Sequence, residues 1–158
     1  MILKLLIITA VAMLPVIELR GAIPIAAGLD LPEIPALIAA MIGNLLPMPL
    51  IFMFAQTILH KGTESKIEWI QKVCSFFIHK GKKGGKKLQE KSERSVYLAL
   101  LFFVGIPLPG TGAWTGTLAA SFLDLDFKKS MIAVACGTLM AGLIMLAISF
   151  GVFDLLFQ

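Results

Sequence analysis

Charge is what this sequence has least of. Asp, Glu, Lys and Arg make up 15% of its 158 residues, hydrophobic residues make up 58%, and the mean hydropathy is +0.89. A water-soluble domain carries about a quarter of its residues charged, so a soluble enzyme is excluded. Disorder is excluded too, because it needs low hydrophobicity and high net charge. Cysteine is nearly absent: Cys74 and Cys136 stand singly in apolar surroundings without C-x-x-C spacing. Only two histidines occur, His60 and His79, and they share no ligand spacing with each other or with a cysteine. The sequence contains no phosphate-cradling glycine loop, zinc motif or serine nucleophile elbow. No metal, cofactor or catalytic residue is therefore expected, and the chain is read as a non-enzyme.

Apolar length dominates what remains. Bilayer-crossing helices need about 20 residues each, so the chain reads as a single polytopic membrane domain over residues 1–158. An integral, multi-pass protein of a prokaryotic inner membrane is expected. Lys4 and the apolar run to Pro15 outline a signal peptide, but the only A-x-A spacing lies inside the run, and the segment is read as retained.

The charge that is present is concentrated. Lys61 to Arg94 holds ten of the fourteen basic residues and four acids, a local balance of +6, and the other residues sum to −2. Cytoplasmic connections attract Lys and Arg, which puts residues 60–94 in the cytoplasm. Ile67, Ile70, Val73, Cys74, Phe77 and Ile78 recur at helical steps, with Glu64, Glu68, Gln71, Lys72 and Ser75 opposite, so an amphipathic interfacial helix is expected here. Thr63 suits its N-cap, and the Gly81 to Lys87 run suits a flexible basic loop that ends it. Trp69 and Phe76 suit headgroup depth, and the six lysines from Lys80 to Lys91 would attract anionic lipid head groups. Orientation alone explains the basic residues, so no nucleic-acid partner is expected.

The two ends of the chain resemble each other. Leu29-Asp30-Leu31, followed thirteen residues after the Asp by Gly43, corresponds 94 positions later to Leu123-Asp124-Leu125 and Gly137. Each half begins with an apolar stretch broken by prolines and glycines, Pro15 to Pro24 in one and Pro107 to Gly112 in the other. Each ends in a long apolar helix, residues 34–59 and 131–153. The arms beside the breaks are about 12 to 20 Å long as helix, too short for a hydrocarbon core of about 30 Å. The expected fold is an all-α membrane protein, an inverted repeat of two re-entrant hairpins each followed by a transmembrane helix. Repeat 1 takes residues 1–59 and repeat 2 residues 95–158, and the Asp30 and Asp124 corners fall on opposite sides.

Charge inside a bilayer is expensive and marks function. Glu18 and Arg20, bracketed by Pro15, Gly21 and Pro24, are read as a coupled pair in which Glu18 carries a proton and Arg20 an anion. Pro107, Pro109, Gly110, Thr111, Gly112 and Thr115 are read as an unwound second tip with hydroxyls and free backbone groups. Residues 15–24 and 106–112 are both expected to be non-helical. Asn44, with Pro47 and Pro49, interrupts the first long helix, and two readings stand for it: a side chain turned to the same cavity, or one bonded to a neighbouring helix. In the last helix, Gly137 and Ala141, and Thr138 and Gly142, form small-x-x-x-small pairs suited to close packing or to a homodimer seam.

Glu-Leu-Arg-Gly-Ala-Ile-Pro from Glu18 and Pro-Leu-Pro-Gly-Thr-Gly-Ala-Trp-Thr-Gly from Pro107 resemble the small multidrug export family over nearly the whole chain. That family is similar in turn to the DedA membrane proteins, which implies oppositely oriented re-entrant hairpins and movement of lipid phosphates with proton coupling, with Glu18 in place of the DedA hairpin acid. The second tip departs from DedA: the arginines of a Phe-x-Pro-Gly-x-Arg pattern are absent. The expected activity is transport or flipping of a small amphiphilic or anionic substrate, a lipid phosphate included. A non-transporting membrane scaffold is the alternative.

Overall fold

The computed structural model describes residues 1–64, 67–108 and 110–157, and among them it has seven helices and no strand. In order these are α1 (Ile2–Ala12), α2 (Glu18–Gly28), α3 (Glu33–Leu45), α4 (Met48–Thr63), α5 (Glu68–Gly105), α6 (Ala113–Phe122) and α7 (Phe127–Phe157). Two stretches are long and apolar enough to cross a membrane, Glu33–Ile58 and Phe127–Gly151. The first is interrupted at residues 46 and 47, where Pro47 cannot donate into the helical ladder.

Burial is arranged for lipid. Large aliphatic and aromatic side chains lie outside at helical spacing, as at Ile34, Ile38 and Ile42 of α3 and Ile132, Leu139 and Leu143 of α7. The interior is rich in alanine and holds small polar residues, among them Thr117, Ser121, Ser130 and Thr138, beside larger chains such as Ile8, Leu19 and Phe52. Lipid chains are as apolar as leucine, so helices in a bilayer associate through close packing of small residues and interhelical hydrogen bonds. The chain is accordingly a membrane protein.

Each half begins with a helical hairpin. The Lys4 ammonium at the start of α1 donates to the Leu29 carbonyl at the end of α2 over 2.9 Å, so α1 and α2 run in opposite directions. In the second half the Asp126 amide, just beyond α6, donates to the Tyr97 hydroxyl on α5 over 3.2 Å, which gives the same reversal. Helices of ten or eleven residues are about 15 to 17 Å long, so neither α2 nor α6 can cross a bilayer alone.

The two Leu-Asp-Leu corners have one geometry. Asp30 and Asp124 both adopt φ +54°, a left-handed conformation that Asp tolerates better than most residues. The Leu31 and Leu125 amides donate to the Ala26 and Ala120 carbonyls over 3.1 Å each, and the Asp30 and Asp124 amides donate to Ala27 and Ser121. This is the Schellman helix end, repeated 94 residues apart. The repeated glycines also match. A Cβ on Gly43 would lie 2.1 Å from the Thr9 carbonyl oxygen of α1, and one on Gly137 would lie 2.6 Å from the Leu101 carbonyl oxygen of α5. In both halves the long helix crosses its hairpin's first arm backbone to backbone, where only hydrogen fits.

The long helices are shared between the halves. Leu37 and Ala40 of α3 pack with α1 and α2, while Met48 and Phe52 of α4 pack with α5 and α6. Ala133 and Val134 of α7 lie with α5 and α6, while Ala141 lies with α1 and α2. Thr117 bonds to the Met48 sulfur at 3.2 Å, Ser121 to the Phe52 carbonyl at 3.1 Å and Gln56 to the Asp124 carboxylate at 3.4 Å. These contacts lay α6 parallel to α4. The Asp124 corner therefore sits at the far end of the stretch that the Asp30 corner begins.

Several expected elements differ. Residues 15–24 are not one unwound tip: turns occupy 13–17, and Gly21 and Pro24 lie inside α2. Pro24 removes only the bond it would have donated to the Arg20 carbonyl, and the buried face of Leu19, Ala22, Ile23 and Ala26 holds the helix together. Gly81 to Lys87 does not end a helix, because α5 runs unbroken through it. A helical glycine costs about 1 kcal/mol relative to alanine but is not forbidden, and Lys, Gln and Glu around these glycines favour the helix. Thr63 closes α4, and the N-cap of α5 is Ile67. Trp69 and Phe76 are exposed. The side chains of residues 80–93, to which the lipid-binding lysines belong, lie outside the described residues. The small pairs of α7 pack within the chain, Gly137 on α5 and Gly142 against Leu37 and Leu19.

Gly43→Val and Gly137→Val should each lower stability, by about 1 to 3 kcal/mol for the overpacking. Gly151→Ala should be neutral or slightly stabilising, since nothing lies within 4 Å of its Cβ position. Thermal melting in detergent checks the contrast.

Candidate functional site

The two breaks in the helices meet. The turn at residues 13–17 leads into α2, and the non-helical residues 106–108 and 110–112 lead into α6. Pro15 and Pro107 remove backbone donors at each break. Between the breaks lies a cavity of about 480 Å³, bordered by Glu18, Arg20, Pro107, Gly110, Thr111 and Thr115. Val16 and Leu108 supply apolar rim, and Met145 of α7 reaches it from the side.

Glu18 is the first residue of α2 and has φ +50°, the left-handed region that a glutamate visits at a cost of about 1 to 3 kcal/mol. Its side chain is buried, and its Oε1 accepts the Trp114 amide at 3.1 Å, in the first turn of α6. A helix N-terminus leaves its first amides unpaired and carries partial positive charge, so the carboxylate of one half caps a helix of the other. Gly112 makes room for it. A Cβ there would lie 2.2 Å from Glu18 Oε2, and the glycine's φ of +147° is one that side-chain-bearing residues rarely adopt.

Arg20 grips the other side of the break. One Nη donates to the Leu108 carbonyl at 2.6 Å and to the Thr111 carbonyl. The other donates to the Val104 and Ile106 carbonyls, both at 3.1 Å, and to the Thr111 hydroxyl at 2.9 Å. Val104 is in the last turn of α5, where carbonyls lack helical partners and the helix end is negative. The planar fork of arginine can reach several fixed oxygens at once, which a lysine cannot.

Glu18 and Arg20 do not pair with each other. The ion pair among the described residues is the exposed Lys72–Glu68 contact. The left-handed turn at Glu18 sends the two side chains to opposite ends of the break, the acid to the start of α6 and the base to the end of α5. The expectation of a coupled ion pair is replaced by a split one, and Arg20 has its Nη donors spent on protein oxygens.

The remaining expected site residues divide. Pro107, Gly110, Thr111 and Thr115 border the cavity, and Gly112 shapes the Glu18 seat. Gly21 lies in α2, where an added Cβ would collide with the Ile17 side chain, and Pro24 is exposed in the same helix. Asn44 is buried in α3 and does not border the cavity; its Oδ1 has no hydrogen-bond partner. Pro109 lies outside the described residues. Sequence reasoning missed Met145, whose place in an unbroken apolar helix carries no local signal.

Fold and site together define an all-helical membrane protein with a buried, charged junction between two broken hairpins. The chain belongs to the family described as "Putative small multi-drug export protein", whose model matches residues 18–144. That match begins at Glu18, directly after the first break, and takes in Arg20 and the second tip. Comparison with curated proteins and with solved structures found no match.

Arg20→Lys should lower stability by about 1 to 3 kcal/mol, because the lysine cannot reach both the Val104 and Thr111 carbonyls, which are part-buried and have no other donor. Glu18→Gln keeps the acceptor for the Trp114 amide and should cost about 1 kcal/mol or less. Denaturation of the two variants in detergent should give this order.

Proposed function

We propose that the protein is a proton-coupled membrane transporter or flippase that moves a small amphiphilic substrate through the cavity between the two hairpin tips. The observation that carries this reading is Glu18: a buried acid in a strained backbone, at the edge of a cavity, in a segment whose neighbours are otherwise apolar. Intramembrane acids of this kind mark ion and substrate paths. A protonatable carboxylate that releases and recaptures the α6 N-terminus would couple its charge to the position of the second hairpin. The anionic, lipid-phosphate version of the reading uses Arg20 as the anion's ligand; Arg20 spends its Nη hydrogens on the loop, so the amphiphilic version is preferred.

The membrane arrangement we propose is an inverted repeat, with α1 and α2 dipping in from one side and the end of α5 with α6 from the other. It is supported by the matching corners, by the reciprocal packing of the two long helices and by the position of Asp124 at the far end of the α3–α4 stretch. Broken helices that meet between such repeats are the usual setting for a transport site. The family's name agrees with export.

In vesicles with an imposed pH gradient, Glu18→Gln should abolish substrate-driven proton movement while the variant still melts near the wild-type temperature, because the amide keeps the shape and cannot titrate. Full activity in Glu18→Gln would remove the proton-carrying role from Glu18, and no substrate-driven proton movement in the wild type would point to the scaffold reading, in which the Glu18 contact only holds the tips together. Single cysteines placed at Asp30 and at Asp124, in a chain lacking Cys74 and Cys136, should be labelled from opposite sides of the membrane. Labelling of both from one side rules out the inverted repeat.

A further inference from the structure

We infer that the cavity opens sideways into the hydrocarbon layer, so that its occupant is a molecule with an apolar tail that enters from the lipid and not from water. This rests on the transport reading and on the membrane arrangement proposed with it, and adds the route by which the occupant arrives. The border of the cavity divides by polarity. Glu18 is buried, and Arg20 and Thr111 are half-buried and bonded to the loop between α5 and α6. Val16 and Leu108 are instead 93% and 55% exposed, and the nearby Leu14, Pro15 and Ile106 are exposed as well. Two small exposed residues complete the opening: Gly110 has no side chain, and the Thr115 hydroxyl is turned back on the Gly112 carbonyl. The most exposed groups of the border are thus hydrocarbon, and both charges are less exposed.

Depth decides what the exposed groups face. α1 and α2 hold eleven residues each and α6 ten, so each break lies about 15 to 17 Å from the corner of its own hairpin, near the middle of a hydrocarbon core of about 30 Å. No Asp, Glu, Lys or Arg occurs in residues 5–17 or 95–123. An exposed apolar patch at this depth, on segments without charge, is a surface for lipid. A loop can stand beside lipid only if its backbone groups are paired within the protein. Leu108 meets that condition: its amide donates to the Ile106 carbonyl, and its carbonyl accepts from Arg20 and from the Thr111 hydroxyl. At the first break the Leu14 and Ile17 carbonyls accept the Glu18 and Gly21 amides, and Pro15 has no amide to pair.

The cavity of about 480 Å³ has the size of a site for a drug-sized molecule. Val16 and Leu108 at the mouth and Met145 of α7 give it an aliphatic and polarisable wall that adapts to different tails. Because the polar residues are the less exposed part of the border, the polar end of an amphiphile is led inward and its tail stays with the lipid. A solute without an apolar part finds no charged side chain at the mouth to receive it.

The test places a fluorophore on single cysteines in a chain lacking Cys74 and Cys136, reconstituted in phosphatidylcholine vesicles. The variants are Val16→Cys and Leu108→Cys at the mouth and Thr115→Cys at the cavity. Ile38→Cys, on the exposed apolar side of α3, and Asp30→Cys, at a helix corner, are references. Two quenchers are compared: phosphatidylcholine brominated at the middle of its acyl chains, and iodide in the water. Labels at residues 16, 108 and 115 should lose fluorescence to the brominated lipid as the label at 38 does, and iodide should leave them bright while it dims the label at 30. Quenching of the mouth labels by iodide, with or without quenching by lipid, overturns the lateral route; the transport site still stands if the wild type moves protons with substrate. Lipid quenching at 16 and 108 without any at 115 also overturns it, because the cavity is then closed to acyl chains. If one mouth variant does not fold, the other decides.

Discussion

The structure hangs on one tripeptide gripping both ends of a broken helix. A helix that stops inside a bilayer leaves carbonyls unpaired at one end and amides unpaired at the other, and lipid can satisfy neither. Here the break between α5 and α6 is mended from outside. Arg20 takes the Val104, Ile106, Leu108 and Thr111 carbonyls, and Glu18 takes the first turn of α6. The two charges are separated by one residue in sequence and matched to dipoles of opposite sign, which is why they do not need each other.

The rest of the molecule delivers that tripeptide to that break. Two glycines let the long helices cross the hairpin arms with their backbones nearly touching, and two aspartates turn the chain through identical corners. Each long helix then leaves its own hairpin and packs on the other one. The result is a chain whose halves cannot be separated without exposing the tips. Lys4 fits the same economy: its ammonium sits on the carbonyl end of α2, where a positive charge is favoured.

The site has an unequal division of labour. Arg20 is tied to several oxygens and acts as a fixture, while Glu18 is held more lightly and borders the cavity. A group that must change its protonation state in a working cycle gains from being the looser member, since its release costs the fewest bonds. The strained backbone at Glu18 is consistent with a residue held in place by its surroundings.

Much of this was legible from residue types. Hydropathy marked the membrane class, the 94-residue offset gave the paired corners and crossing glycines, and proline and glycine located the second break, because each of these depends on local backbone chemistry or on composition. The first break was placed too broadly, since a proline and a glycine inside α2 are tolerated once its apolar face is buried. The basic glycine run was read as a loop, although helix formers on both sides carry α5 through it. What the sequence could not decide was where Glu18 and Arg20 point. At positions i and i+2 they look like a broken-helix ion pair, and only the approach of the other half, some 90 residues away in the chain, supplies the amide and the carbonyls that draw them apart.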